Sequence, residues 1–204
     1  MARYTGPKTK ISRRFGEPVF GPDKYLDRRN FAPGQHGPAN KTRRRKLSDY
    51  GMQLREKQKA KYVYGMLEKQ FRRFYEIARA RTGNTADILL QLCESRLDNV
   101  VYRLGLAPTR PAARQLVTHR HVELDGRVVN VPSVIVKPGQ KVGIRERDRN
   151  MEVVVESLKH PAGRACDWLE MDETTKTGTF ARVPEVSEVP ETIDMQTVVE
   201  LYSR

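Results

Sequence analysis

Arg96, Arg103, Arg110 and Arg114 are the side chains whose type and spacing first suggest chemistry. Positions seven apart (96 and 103) and four apart (110 and 114) project from one face of a helix. Four guanidiniums on two short neighbouring helices repel one another unless an anion lies between them. Each is a planar fork suited to phosphate oxygens. A solvated helix face is the plainer account of any single one. The set of four points to a phosphate-binding face.

The elements that must carry them are readable. Leu97, Val100, Val101 and Leu104 recur at i, i+3, i+4 and i+7, which predicts an amphipathic helix stopped by Gly105. A second helix starts near Thr109 to Pro111, since proline is tolerated in a first turn, and Ala112 or Ala113, Leu116 and Val117 form its apolar side. Beyond it the period changes to two. Val122 and Leu124 alternate with polar residues, Asp125-Gly126 is a hairpin turn, and Val129 and Val131 follow. Val134 to Val136, a turn at Lys137-Pro138-Gly139, and Val142 to Ile144 are expected to complete a small antiparallel sheet. Two helices on such a sheet make a sensible RNA-binding module, with the helices facing the nucleic acid.

Charge supports a polyanionic partner. The 204 residues hold 38 Lys+Arg against 25 Asp+Glu, a formal net charge of +13. Residues 1–82 carry 22 basic and 7 acidic side chains, residues 83–157 carry 11 and 9, and residues 158–204 carry 5 and 9. The cationic half is therefore N-terminal. No apolar run is long enough to span a bilayer, and no apolar leader core is evident, so a cytoplasmic location and no membrane partner are expected. The most basic stretch, Lys41 to Lys46, lacks the apolar face that a membrane-surface helix needs. Cys93 sits in an apolar helical run with Ile88, Leu89 and Leu92 and reads as a small core residue, and Cys166 is far from it in sequence.

Residues 1–46 show no sustained period and are expected to be an irregular basic extension. Its candidate RNA contacts are Arg13, Arg14, Arg28, Arg29, Arg43, Arg44, Arg45 and Lys46. Phe15, Phe20, Tyr25 and Phe31 are interleaved with them, and packing is favoured over base stacking for most of these rings. From Leu47 the chain turns helical: Leu47, Tyr50 and Leu54 share a face, with Ser48 as N-cap. Met66 or Leu67, Phe71, Phe74 or Tyr75, and Ala78 make a cleaner second stripe opposite Lys69, Arg72, Arg73 and Arg79, ended by Gly83-Asn84.

Several motifs now carry a resemblance. Arg96-Leu97-Asp98, Arg103-Leu104-Gly105, Ala113-Arg114-Gln115-Leu116-Val117 with His119, and Val131-Pro132-Ser133 resemble the RNA-binding domain named after ribosomal small-subunit protein four. That domain also occurs in some pseudouridine synthases and tyrosyl-tRNA synthetases. The flanks decide between hosts. Arg28-Arg29 through Pro33-Gly34-Gln35-His36-Gly37, the block from Ser48 and Tyr50 to Gln53, Lys57, Gln58 and Lys59, the run Tyr64 to Arg72, and the closing Val199 to Arg204 are similar to the bacterial small-subunit protein four family. The resemblance implies direct binding of small-subunit ribosomal RNA at a helical junction, an early role in assembly and an influence on decoding accuracy. It also implies ribosomal proteins three and five as neighbours, and repression of its own messenger RNA in some bacteria. RNA contacts carried over include His36, Ser48, Tyr50, Gln53, Lys57, Gln58, Lys59, Arg72, Arg73, Gln115 and His119. Many relatives have a cysteine zinc knuckle near the N-terminus, whereas this chain has no cysteine before Cys93 and Ile11 stands about where the first ligand would be. No metal and no cofactor are expected.

The expected fold is α+β: a mostly helical basic N-terminal domain with an inserted RNA-binding module of two helices on a small antiparallel sheet. Expected boundaries are an extension over 1–46, a helical domain over 47–93 completed by a helix within about 190–204, the module over 94–157, and an irregular acidic segment over 158–189. The acidic surplus of that segment favours a basic protein neighbour or simple solvation over RNA. No glycine-rich phosphate loop, metal-spaced cluster or activated nucleophile is present in the sequence, and His119 and His121 have no carboxylate partner defined by spacing, so no catalysis is expected. The competing account is a free RNA-modifying or RNA-chaperoning protein that carries the same module.

Overall fold

A computed structural model describes residues 3–38, 47–159, 166–172, 174–190 and 193–204. The fold is α+β and divides into two units, residues 1–80 with 192–204, and residues 81–191.

In the first unit, α1 (Lys8–Phe15) and α2 (Lys24–Arg28) occupy part of the stretch expected to be irregular. They form because a small apolar set, Ile11, Phe15 and Val19, is buried with Tyr4, Phe20, Tyr62 and Val63 packed on it. Tyr62 joins the rings edge-on, 5.3 Å from Tyr4 and 6.1 Å from both Phe15 and Phe20. Apolar residues spaced along an arm and a helix thus replace a periodic stripe. Asp23 caps α2 by accepting from the amides of Tyr25 and Leu26.

Ser48 caps α3 (Asp49–Val63) through the Gly51 amide at 3.2 Å, as its position predicts. The face carrying Leu47 and Tyr50 is nevertheless exposed. α3 buries Gln53, Lys59 and Ala60 instead, because its inward contacts are polar as well as apolar. α4 (Glu68–Arg79) buries Phe71, Phe74, Tyr75 and Ala78 and leaves Lys69, Arg72, Arg73 and Arg79 exposed, the two faces its period gives. α9 (Met195–Ser203) closes this unit along α3. Met195 and Val198 are buried, and the Tyr202 ring stacks on Tyr75 at 4.8 Å.

The second unit contains α5 (Thr85–Glu94), α6 (Leu97–Arg103), α7 (Arg110–Thr118) and α8 (Glu152–Lys159). α5 was expected in the helical domain. It lies here because its last residue, Glu94, is tied to Asn99 and Arg103 of α6. α7 starts as read, with the Thr109 hydroxyl accepting from the Ala112 amide and proline in its first turn.

The sheet is antiparallel and five-stranded, in the order β2-β1-β3-β5-β4. Its strands are β1 (Val122–Leu124), β2 (Arg127–Val128), β3 (Lys141–Ile144), β4 (Leu169–Asp172) and β5 (Thr177–Phe180). Asp125 and Gly126 both take positive φ, 51° and 75°, the tight turn that matches strand twist. Two expectations are corrected here. Val134 to Val136 is not a sheet strand: Ile135 bridges Arg96, and the carbonyls of Pro132 and Val134 receive the amides of Asp98 and Leu97 at the start of α6. These bonds satisfy first-turn N–H groups, a use that hydrophobic alternation does not reveal. Residues 158–189 are not irregular throughout, since β4 and β5 lie within them and bury Trp168 and Phe180.

Candidate nucleic-acid interface

Three of the four guanidiniums of the second unit meet carboxylates of the protein itself, Arg96 and Arg114 at Asp98 and Arg103 at Glu94. Arg96 is fully buried and sends Nε and Nη2 to the Asp98 carboxylate at 2.9 and 2.5 Å. Arg114, on α7, reaches the same carboxylate at 3.2 Å. Arg103 holds the Glu94 carboxylate through Nε and Nη2 at 3.0 and 2.9 Å. Asn99 links Arg110 to the Glu94 set, donating to Glu94 at 2.6 Å and accepting from Arg110 Nε at 2.8 Å. The Arg110 guanidinium also lies 4.6 Å from the Tyr102 ring centroid. Arg96, Arg103 and Arg114 are therefore internal braces between α5, α6 and α7 and do not form a solvent-facing fork. Arg110 is half-buried.

What this unit does present lies one turn further along. Gln115 and His119 are exposed at the end of α7, and Arg120, absent from the sequence-derived set, is exposed beside them with φ 65°. Its position just past the predicted helix was the available signal. Lys137, in the turn before β3, and Lys141, at its start, are likewise exposed. His121 does have a carboxylate: its Nδ1 lies 2.9 Å from Asp148, and that hydrogen bond holds the Asp148 carboxyl below its ordinary range. Burial pushes the Cys93 thiol up, in keeping with an inert core residue.

In the first unit, Arg13 is turned inward. It donates to the carbonyls of Phe31 and Ala32 at 3.0 and 3.4 Å, with its guanidinium over the Phe31 ring. It thereby fixes the loop from Asn30 to Gly37. Gly37 is the tight point, where a Cβ would stand 1.8 Å from the Ala32 carbonyl oxygen. Arg14, Arg28, Arg29 and His36 are exposed around this loop.

Several expected contacts on α3 are also structural. Gln53 donates to Glu200 at 3.1 Å, and Lys59 is buried against Glu17 at 2.6 Å. Lys57 and Lys61 both hold Glu68, at 3.0 and 2.8 Å, and Tyr202 donates to the same carboxylate at 2.7 Å. Partial burial raises the Glu68 carboxyl, but those three hydrogen bonds outweigh it and bring the pKa from 4.5 to about 2. Ser48 caps its helix, Gln58 is half-buried, and Tyr50, Arg72 and Arg73 are exposed, Arg72 beside Glu76 at 3.5 Å. Arg43, Arg44, Arg45 and Lys46 lie outside the described residues.

Comparison with known proteins covers parts of both units. Residues 3–94 match the family described as ribosomal protein S4/S9 N-terminal domain, and residues 95–142 match the S4 domain. That junction falls inside the second unit, at the α5–α6 connection that Glu94 and Arg103 brace. The chain is 57% identical over all 204 residues, and over the full length of the relative, to small ribosomal subunit protein uS4 of Bacteroides thetaiotaomicron. It is similarly 56% identical to that of Parabacteroides distasonis and 54% to that of Porphyromonas gingivalis, again across both full lengths. These relatives carry the name of a ribosomal constituent and not of an enzyme. With matched domains across residues 3–142 and full-length likeness to such relatives, the chain belongs to the small ribosomal subunit protein uS4 family.

Proposed function

We propose that the protein binds small-subunit ribosomal RNA directly, chiefly through phosphates, and holds helices that meet at a junction. The observation that carries this is the exposure of Arg14, Arg28, Arg29, His36, Lys69, Arg73 and Arg79 on one unit, in a stretch where basic residues outnumber acidic ones 22 to 7 up to residue 82. A second exposed set, Gln115, His119 and Arg120, lies at the end of α7. Paired RNA hides its major-groove edges, so shape, phosphates and 2′-hydroxyls dominate such binding. Bringing phosphates together at a junction supports an early role in subunit assembly. Influence on decoding accuracy, contacts with ribosomal proteins three and five, and binding to its own messenger RNA follow from family likeness. The acidic surplus beyond residue 157 suits a basic protein neighbour. On this reading the protein resides with the ribosome in the cytoplasm.

The test is filter binding of the purified chain to a folded small-subunit rRNA transcript across a salt series. Affinity should fall steeply with salt as released counterions oppose it. Arg28→Glu combined with Arg29→Glu should weaken binding and flatten the salt dependence. A chain that ignores the transcript at low ionic strength overturns the assignment.

A further inference from the structure

Most aromatic side chains of the first unit are packed, whereas Tyr25 and Tyr50 are exposed, and Tyr25 the more so. Phe15 is buried, Phe20 and Tyr62 pack around it, and Phe31 lies under the Arg13 guanidinium. Tyr25 is 65% exposed, the highest value among the exposed large hydrophobic side chains of the described residues. Its backbone is nonetheless firmly placed. Asp23 accepts from the amides of Tyr25 and Leu26, Leu26 is buried, and the Tyr25 carbonyl accepts from the Arg29 amide at 3.0 Å. A ring held on a capped turn and turned out to water loses little freedom when something stacks on it.

Its surroundings indicate what that would be. Arg28 stands three residues further on and shares its helical side, and Arg29 follows at the C-cap with its amide on the Tyr25 carbonyl; both are exposed, as is Lys24. Asp27 is exposed too, but two residues from Tyr25 places it on the opposite side of the turn. A flat apolar ring beside two guanidiniums matches an unstacked nucleobase with its flanking phosphates.

We propose that Tyr25 is a stacking platform for an unpaired nucleobase of small-subunit rRNA, with Arg28 and Arg29 gripping the phosphates on either side. This rests on the rRNA-binding reading above and names a contact within it. Stacking is indifferent to counterions and the two arginines are not, so the contributions separate experimentally.

The experiment is filter binding of the full chain to the folded small-subunit rRNA transcript over a salt series, for wild type, Tyr25→Ala, Tyr25→Phe, and Arg28→Ala with Arg29→Ala. Tyr25→Ala should weaken binding about ten-fold at every salt concentration and leave the slope of log affinity against log salt unchanged. Tyr25→Phe should bind within about two-fold of wild type, because the ring face is kept. The arginine pair should flatten the slope by about two. Tyr25→Ala binding like wild type overturns the stacking site while leaving rRNA binding intact. Equal weakening by Ala and Phe also overturns it, since the hydroxyl and not the ring would then make the contact. A wild-type chain that does not bind the transcript sinks the rRNA reading and the stacking site with it.

Discussion

The Arg103 guanidinium closes on the Glu94 carboxylate through two nitrogens at 3.0 and 2.9 Å, with both side chains buried. A buried charge keeps its place only when paired, so each residue is the condition for the other. Glu94→Gln is expected to lower the unfolding free energy by about 3 kcal/mol, because an uncompensated guanidinium is left inside. Glu94→Leu combined with Arg103→Met should be milder than Glu94→Gln alone. Urea denaturation followed by circular dichroism checks both, and a double variant worse than the single one would refute the pairing as the source.

Arg114 and Arg120 should behave in opposite ways. Arg114→Ala takes one cation from Asp98 and is expected to reduce stability by about 1–3 kcal/mol, with rRNA affinity near wild type where the variant is folded. Arg120→Ala, exposed beyond α7, should leave stability within about 0.5 kcal/mol and weaken rRNA binding instead. Reversed outcomes would return Arg114 to the RNA face.

The first unit carries a pH signature. Glu68 falls from 4.5 to about 2 on folding, so its contribution is complete above pH 4.5 and is lost as the pH drops from there towards 2. Its side chain is 43% exposed, so solvent screening reduces the effect to on the order of 1 kcal/mol. Glu68→Gln should lower the thermal midpoint by a constant amount between pH 6 and 8 and converge on wild type as the pH falls from 4.5 towards 2, measured as thermal midpoint against pH.

Gly37→Ala tests the loop that Arg13 holds. With the added methyl 1.8 Å from the Ala32 carbonyl oxygen, the backbone must move. Faster limited proteolysis within residues 28–38 and weaker rRNA binding are the expected results. Unchanged cleavage and affinity would mean that this geometry is not used.

Much of this was visible in the chain, and the gaps have physical causes. The α7 start, the Asp125-Gly126 hairpin, the Phe71 to Ala78 stripe and the helix after Asp194 all follow from local rules of capping, turn conformation and period. β4 and β5 were missed although Leu169 and Met171 alternate with acids, because the surrounding charge masked a period of two over so short a run. The arginine cluster was identified by position, and its partners within the protein were not. Helical spacing shows which cations lie together, and it does not show that Asp98, two residues from Arg96, folds back to satisfy it. The same limit applies to Lys59 and Gln53, whose partners Glu17 and Glu200 are distant in sequence. Arg13 was read as a contact and serves as a strut, since its acceptors are backbone carbonyls that no residue pattern marks.

The first unit is made of two separated lengths of chain, with residues 81–191 synthesised between them. Until Met195–Ser203 emerges, nothing from that helix can lie against Phe71 and Tyr75, the rings that Tyr202 meets at 6.3 and 4.8 Å. A nascent copy halted early therefore displays an uncovered greasy strip, an invitation to chaperones and proteases. Emergence of that helix thus doubles as a quality check: only a chain that includes Met195–Ser203 can cover those rings.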